Sequence, residues 1–181
     1  MANMVDRMLR AARLDTNLYE EVEADTTAMG QAMTVVVLSS IAGGIGTADT
    51  GFGLVTGAIA SLIGWYIWAF LTYYIGTKWL PEPTTEADTG QMLRTLGFAS
   101  APGLIRVAGV IPVVGVVALV AAPFWMLCTM VVAVRQALDY ASTGRAIVVC
   151  VIGFLVQVAA IVAILFAVNA LIASQPGPPA A

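Results

Sequence analysis

The chain has 181 residues, of which 60% are hydrophobic and 10% charged, whereas a soluble domain typically has about 25% charged residues. Its 8 basic and 11 acidic side chains give a formal net charge of −3, and it contains no histidine. These values exclude a soluble enzyme, argue against a nucleic-acid partner, and remove histidine-based catalysis and metal binding. The composition predicts an all-α integral membrane protein.

Residues 1–27 are predicted to form a cytoplasmic arm that is amphipathic first and acidic afterwards. Met4, Val5, Met8 and Leu9 recur at helical spacing, with basic residues on the opposite side, which predicts a short amphipathic helix on the membrane surface. A second short polar helix is expected at about residues 18–24. The candidate contacts with membrane lipids or an unknown protein partner are Arg7, Arg10, Arg13, Tyr19, Glu23 and Asp25.

Four acidic residues between positions 20 and 25 are the nearest approach to a cation site. Carboxylates can bind a divalent cation, but no ligand loop accompanies them, so we expect a solvated face and no metal. No cofactor is expected either.

Residues 28–173 are predicted to form a five-helix transmembrane bundle, followed by a disordered outer tail at residues 174–181. The predicted spans are about 28–46, 52–75, 96–111, 113–134 and 145–172. The third is the shortest and contains Pro102 and Arg106, so a re-entrant or interfacial helix is the alternative.

The basic residues favour five crossings over four. With the amino terminus inside, five crossings place seven basic residues on the cytoplasmic side and none in the outer loops, whereas four crossings split them five to two. We therefore expect an integral protein of the cell membrane with its carboxyl terminus outside. The seven residues are Arg7, Arg10, Arg13, Lys78, Arg94, Arg135 and Arg145.

Two features inside the spans attract attention. Arg106 is expected either to snorkel to the outer headgroups or to pair with Asp49, the acid of the outer loops. Gly53, Gly57 and Ser61 recur at every fourth residue, which predicts a close helix-packing face. The helix packed there could belong to this chain or to a second copy in a homo-oligomer.

Three blocks of sequence carry a family resemblance. The first is Leu14-Asp15 followed by Tyr-Glu-Glu-Val-Glu-Ala-Asp from position 19, the second is residues 93–103, and the third is residues 134–146. Gly97-Phe98 with Pro102 is similar to the Gly-aromatic-x-x-x-Pro element that opens the third span of eukaryotic Yip1 proteins. The chain resembles the Yip1 family of five-span membrane proteins, particularly its short prokaryotic members.

The resemblance implies a cytoplasmic amino terminus, five helices and a short outer tail. Eukaryotic relatives act in vesicle traffic and bind small GTPases of the Rab type through their cytoplasmic portions. Their Asp-Leu-Tyr-Gly-Pro element has no counterpart here, and for prokaryotic members the resemblance implies no established activity.

The expected function is non-enzymatic membrane organisation, scaffolding or a trafficking-like role through the cytoplasmic face. An intramembrane enzyme would need reactive groups within the spans, and every acidic residue lies outside the predicted spans. The alternative is a small transporter or channel with a path near Arg106, Gln157 and Asn169.

Overall fold

The computed structural model describes residues 3–47, 49 and 51–173, and every regular element in this part of the chain is helical. The predicted tail at residues 174–181 lies outside the described residues. The α-helices are α1 (Met4–Ala12), α2 (Thr16–Ala24), α3 (Met29–Gly46), α4 (Gly51–Tyr74), α5 (Thr89–Ala99), α6 (Val114–Ala137) and α7 (Thr143–Ala173). A short 3₁₀ turn (Thr26–Ala28) precedes α3, a π-helical turn (Ile75–Trp79) ends α4, and a 3₁₀ segment (Ala101–Val110) follows α5.

Four helical stretches are long and apolar enough to cross a membrane: Thr26–Gly46, Gly51–Trp79, Val114–Ala137 and Thr143–Ala167. They correspond to the first, second, fourth and fifth predicted spans. Their lengths of 21, 29, 24 and 25 residues all exceed the roughly 20 residues that a bilayer core requires. The prediction of an all-helical membrane protein is confirmed at this level.

The third predicted span differs from the single helix expected over residues 96–111. Its α-helix starts earlier, at Thr89, because Asp88 and Gln91 form a capping box in which each side chain accepts from the other's backbone N–H. The α-helix ends at Ala99, and the chain continues as the 3₁₀ segment. Pro102 explains the change, since it has no N–H for an α-helical bond and its ring clashes with the carbonyl four residues earlier.

This third element is the centre of the bundle. Every residue from position 92 to position 103 is buried. Helix α5 contacts α1, α2, α3, α4 and α6, and the 3₁₀ segment contacts α1, α3 and α6. Gly97 lies directly against Ala32 of α3, where a Cβ atom would collide. The shortest and least apolar predicted span is therefore enclosed by three of the other spans, α3, α4 and α6, whereas α7 packs on α6 and α4.

The two ends of the bundle are distinguished by their loops. At the first, called here the α2 end, α2 packs on α5 and α6, and Tyr140 donates its hydroxyl to the carbonyls of Gly76 (3.1 Å) and Leu80 (2.8 Å). At the opposite end, called the α3–α4 end, Gly109 of the 3₁₀ segment lies against the backbone of Gly46. The absence of a side chain at both glycines permits that approach.

Candidate functional site

A cluster of charged side chains joins α1 to α2 and to the start of α3. We call Arg7, Arg10, Asp15, Glu21 and Asp25 the amino-terminal clamp. Arg7, which is 4% exposed, donates from Nε to Glu21 (2.9 Å) and from Nη2 to Asp25 (2.7 Å). Its third nitrogen reaches Gln31 of α3 at 3.2 Å. The planar guanidinium thus holds three elements together.

Arg10 completes the clamp from the next turn of α1. It donates to Asp15 (2.8 Å) and to the second oxygen of Glu21 (2.6 Å), and these hydrogen bonds hold the pKa of both carboxyls below their usual range. Hydrogen bonds from Thr27 and then from Arg7 lower the pKa of Asp25 to about 2. Two of the four acidic residues expected to be solvated, Glu21 and Asp25, are therefore engaged with the two arginines, whereas Glu20 is exposed.

Tyr19 and Glu23 lie inside the packing of α2. Tyr19 is fully buried and donates its hydroxyl to the Ala11 carbonyl at 3.3 Å, and burial raises its pKa. Glu23 is 8% exposed, and burial, together with the charges of Asp139 and Glu20, raises its pKa to about 7. Its Oε2 atom has no hydrogen-bond partner in the described part of the chain.

Arg94 of α5 fastens the end of α2, and this role was missed in the sequence. It donates to the carbonyl of Val22 (2.9 Å) and to that of Glu23. Basic side chains suit the last carbonyls of a helix, which carry partial negative charge. The sequence feature that could have indicated this role is a single arginine, Arg94, at the start of the mainly apolar segment that the structure buries.

The predicted contact residues therefore differ in accessibility. Arg7, Tyr19 and Glu23 are buried, Arg10 and Asp25 are partly buried, and Arg13 is exposed. The predicted set lies together on α1 and α2, but most of it bonds within the chain.

The outward side of α1 is apolar. Val5 and Leu9 are 54% and 52% exposed, while Met4 and Met8 pack against the core. Trp125 of α6 donates its indole N–H to the Ala12 carbonyl at 2.7 Å, which fixes α1 against the side of the bundle.

A polar groove lies at the α2 end. It has a volume of about 280 Å³ and is lined by α2, the loop before α5 and the α6–α7 loop. Gln136 donates to Glu20 at 2.7 Å across it. The lining residues are Glu20, Thr84, Arg135, Gln136, Asp139, Tyr140 and Ala141.

The intramembrane candidates converge on one cavity at the α3–α4 end. This outer cavity, of about 520 Å³, is lined by the predicted pair Arg106 and Asp49 and by the predicted packing face Gly53, Gly57 and Ser61. A Cβ atom on Gly57 would meet Ser40 of α3 at 3.7 Å, so this face turns toward α3 of the same chain. Whether Asp49 pairs with Arg106 stays a prediction.

An inner cavity of about 340 Å³ adjoins the outer one, and Ser40, Ser61 and Arg106 line both. It runs between α4, α6 and α7 and includes Gln157, whereas Asn169 is exposed. Its apolar lining includes Trp65, Trp68, Met126, Leu127, Met130 and Phe154.

Within the part of the chain that the structure describes, no group of three His, Cys, Asp or Glu side chains is placed to hold a metal ion. The Glu21 and Asp25 carboxylates are instead bound to Arg7. No residue of the site is assigned to a metal or cofactor.

Over its described residues, then, the protein is a helical membrane protein in which three of the four long apolar helices, α3, α4 and α6, pack on a proline-broken element that is buried from residue 92 to residue 103. A family model described as the Yip1 domain matches residues 18–172. Because the match covers most of the chain, the protein belongs to the Yip1 family, and the resemblance read from the sequence is confirmed. No curated protein and no solved structure matches the chain.

Proposed function

We propose that this Yip1-family protein is a non-enzymatic membrane-organising scaffold that engages lipid and a protein partner through its cytoplasmic face. The observation that carries the proposal is the fixed position of the α1–α2 pair. The amino-terminal clamp, the Arg94 bonds and the Trp125 bond attach α1 and α2 to the bundle. A partner would therefore meet a preformed surface, which lowers the ordering cost of binding.

The proposed topology has five crossings, with the amino terminus and the α2 end in the cytoplasm and the carboxyl terminus outside. The fifth crossing is α5 with the 3₁₀ segment, whose 11 and 10 residues give a length of about 36 Å at their respective rises per residue. A bilayer core is about 30 Å thick. The burial of residues 92–103 supports this, since a broken helix at membrane depth must be surrounded by protein.

Lipid contact is assigned to the outward side of α1. Val5 and Leu9 point away from the bundle, and the exposed Arg13 follows at the end of the helix. An apolar side next to basic residues is typical of helices that lie in the membrane interface.

Partner contact is assigned to the polar groove at the α2 end. Glu20 is its exposed acidic residue on α2 and accepts from Gln136 of α6, while Arg135 holds the α6–α7 loop by donating to the carbonyls of Tyr140 and Ala141. The groove combines three separate segments, so its shape depends on the folded chain.

The test is photo-crosslinking in native membranes from probes at Glu20 in the groove, Leu9 on α1 and Tyr74 on α4. We expect one stoichiometric protein adduct from Glu20, lipid adducts from Leu9, and no matching protein adduct from Tyr74. The same protein captured equally from Glu20 and Tyr74, or lipid alone from Glu20, would contradict the assignment.

Paired charge reversals test the groove separately. Glu20→Arg, read from a probe at Ala141 in the same groove, should reduce the protein adduct at least about tenfold, because the acidic side chain offered to the partner then has the opposite charge. Glu86→Arg is the matched control, since Glu86 is exposed in the loop before α5 and does not line the groove. Equal loss in both variants would show a general charge effect.

A small transporter or channel is the second candidate, favoured by the cavities that Arg106 and Gln157 line. Solute flux into vesicles that is lost in Arg106→Leu would support it. Absence of flux in vesicles that contain folded protein would remove it.

A further inference from the structure

The two adjoining cavities differ in polarity in the way that the two parts of a phospholipid do. The outer one, at the α3–α4 end, contains both charged side chains, Arg106 and Asp49, together with three hydroxyl side chains, four glycines and three apolar residues. The inner one is lined mainly by apolar side chains. Together they exceed the roughly 300 Å³ from which ligand pockets begin. We call the pair the Arg106 cleft.

Arg106 has donors available in this cleft. A guanidinium carries five N–H donors, and Arg106 uses Nε on the Gly103 carbonyl (3.0 Å) and Nη2 on the carbonyl and hydroxyl of Ser39 (2.7 and 3.0 Å). Nη1 has no acceptor among the described residues, and it lies against Gly43, where a side chain would displace it. The guanidinium is held in place by neutral groups, with two N–H donors left over.

Asp49 gives the mouth of the cleft its second charge. It lines the outer cavity together with Arg106, and its carboxylate lies over Gly53 at the start of α4. A site with a guanidinium and a carboxylate matches a headgroup that has both a phosphate and an ammonium. The phosphate accepts from Arg106, and a primary ammonium can donate to Asp49 whereas a quaternary one cannot.

The inner cavity provides room for the part of one acyl chain nearest the headgroup. From Ser61 to Trp68 it follows α4 for seven residues, which is about 10 Å of helix. The facing wall is Met126 and Met130 of α6 with Phe154 of α7. Methionine is an adaptable side chain that suits an irregular apolar surface.

We propose that the Arg106 cleft binds one phosphatidylethanolamine molecule, with the phosphate on Arg106, the ammonium at Asp49 and the part of one acyl chain nearest the headgroup along α4 in the inner cavity. This site lies at the opposite end from the scaffold surface and is independent of it. Occupancy would compensate the Arg106 charge inside the membrane with a lipid phosphate.

The test is native mass spectrometry of the full-length protein in detergent, titrated with dioleoyl phosphatidylethanolamine, phosphatidylcholine, phosphatidylglycerol and soluble glycerophosphoethanolamine. We expect phosphatidylethanolamine to bind most tightly. Arg106→Gln should weaken it at least about tenfold, as expected for loss of a charge-assisted hydrogen bond. Asp49→Asn should remove the preference over phosphatidylcholine.

A cavity-filling pair keeps the test decisive if Arg106→Gln does not fold. Gly64 lines the inner cavity and a Cβ atom there meets nothing within 4 Å, so Gly64→Leu should fill the cleft and lower binding at least about tenfold. Gly30 is equally open but lies on the exposed side of α3, so Gly30→Leu should bind as the unmodified protein does.

Three results would overturn the proposal. The first is unchanged phosphatidylethanolamine binding in Gly64→Leu and in folded Arg106→Gln. The second is equal affinity of the unmodified protein for phosphatidylglycerol and phosphatidylethanolamine. The third is binding of glycerophosphoethanolamine as tight as that of the whole lipid, which would indicate a site for a soluble solute.

Discussion

Replacement of Tyr19 separates a structural role of α2 from a direct role in partner binding. The side chain is fully buried in the core that α2 forms with α5 and α6, and its hydroxyl donates to Ala11. Removal of a buried aromatic ring costs about 3–5 kcal/mol. Removal of the hydroxyl alone costs about 0.5–1.5 kcal/mol. We therefore expect Tyr19→Ala to lower the free energy of unfolding by the larger amount and Tyr19→Phe by the smaller.

The assay is equilibrium unfolding in mixed micelles with an increasing fraction of denaturing detergent, followed by tryptophan fluorescence. Glu20→Ala is the neighbouring control, because Glu20 is exposed and we expect a cost below about 1 kcal/mol. A Tyr19→Ala cost no larger than that of Glu20→Ala would refute the burial of Tyr19. It would also return Tyr19 to the set of accessible contact residues.

Three further predictions use the same unfolding assay. Burial raises the pKa of Glu23 from 4.5 to about 7, so its contribution to stability is fully present below about pH 4.5 and is lost as pH rises to 7. Glu23→Gln should flatten the dependence of the free energy of unfolding on pH over this interval, and an unchanged slope would contradict the prediction. The hydrogen bonds from Thr27 and then from Arg7 lower the pKa of Asp25 to about 2, so they contribute stability that is present at neutral pH and is lost as pH falls toward 2. Arg7→Gln should lower the free energy of unfolding at neutral pH and remove the Arg7 part of this acid sensitivity; an unchanged free energy of unfolding would show that the clamp is not formed. Gly109→Ala should lower the free energy of unfolding by about 1–3 kcal/mol, because the added Cβ atom would collide with the backbone of Gly46 in α3. Gly64→Ala is the control and should leave the free energy of unfolding unchanged, because a Cβ atom there meets nothing within 4 Å.

The long apolar runs were sufficient to predict most of the fold. Four predicted spans match helices that are long and apolar enough to cross a membrane, because length and hydropathy alone identify such helices. They are residues 28–46, 52–75, 113–134 and 145–172. The third element escaped this reasoning, since its shape depends on Pro102 and its burial depends on the surrounding helices. Hydropathy measures preference for lipid, and a helix enclosed by protein need not show it.

The accessibility of the amino-terminal residues could not be predicted from local pattern. The bonds of Arg7 join residues 14 and 18 positions apart, and those of Arg94 join residues more than 70 positions apart. Composition shows only that this segment is charged, which is equally typical of a solvated arm. By contrast, the small residues at Gly53, Gly57 and Ser61 and the intramembrane Arg106 were recognised individually, and the structure adds that they line one cavity.

The attachments of the amino-terminal helices impose an order on biosynthesis. Glu23 is bonded 71 positions ahead, Ala12 is bonded 113 positions ahead to Trp125, and Glu20 is bonded 116 positions ahead to Gln136. Because α1 and α2 precede α6 in the chain, they complete these contacts only after α6 has been synthesised and inserted. During that interval α2 can pack on α1, but the side that it later buries against α5 and α6 lacks those helices, so this surface is the one that quality-control factors would meet.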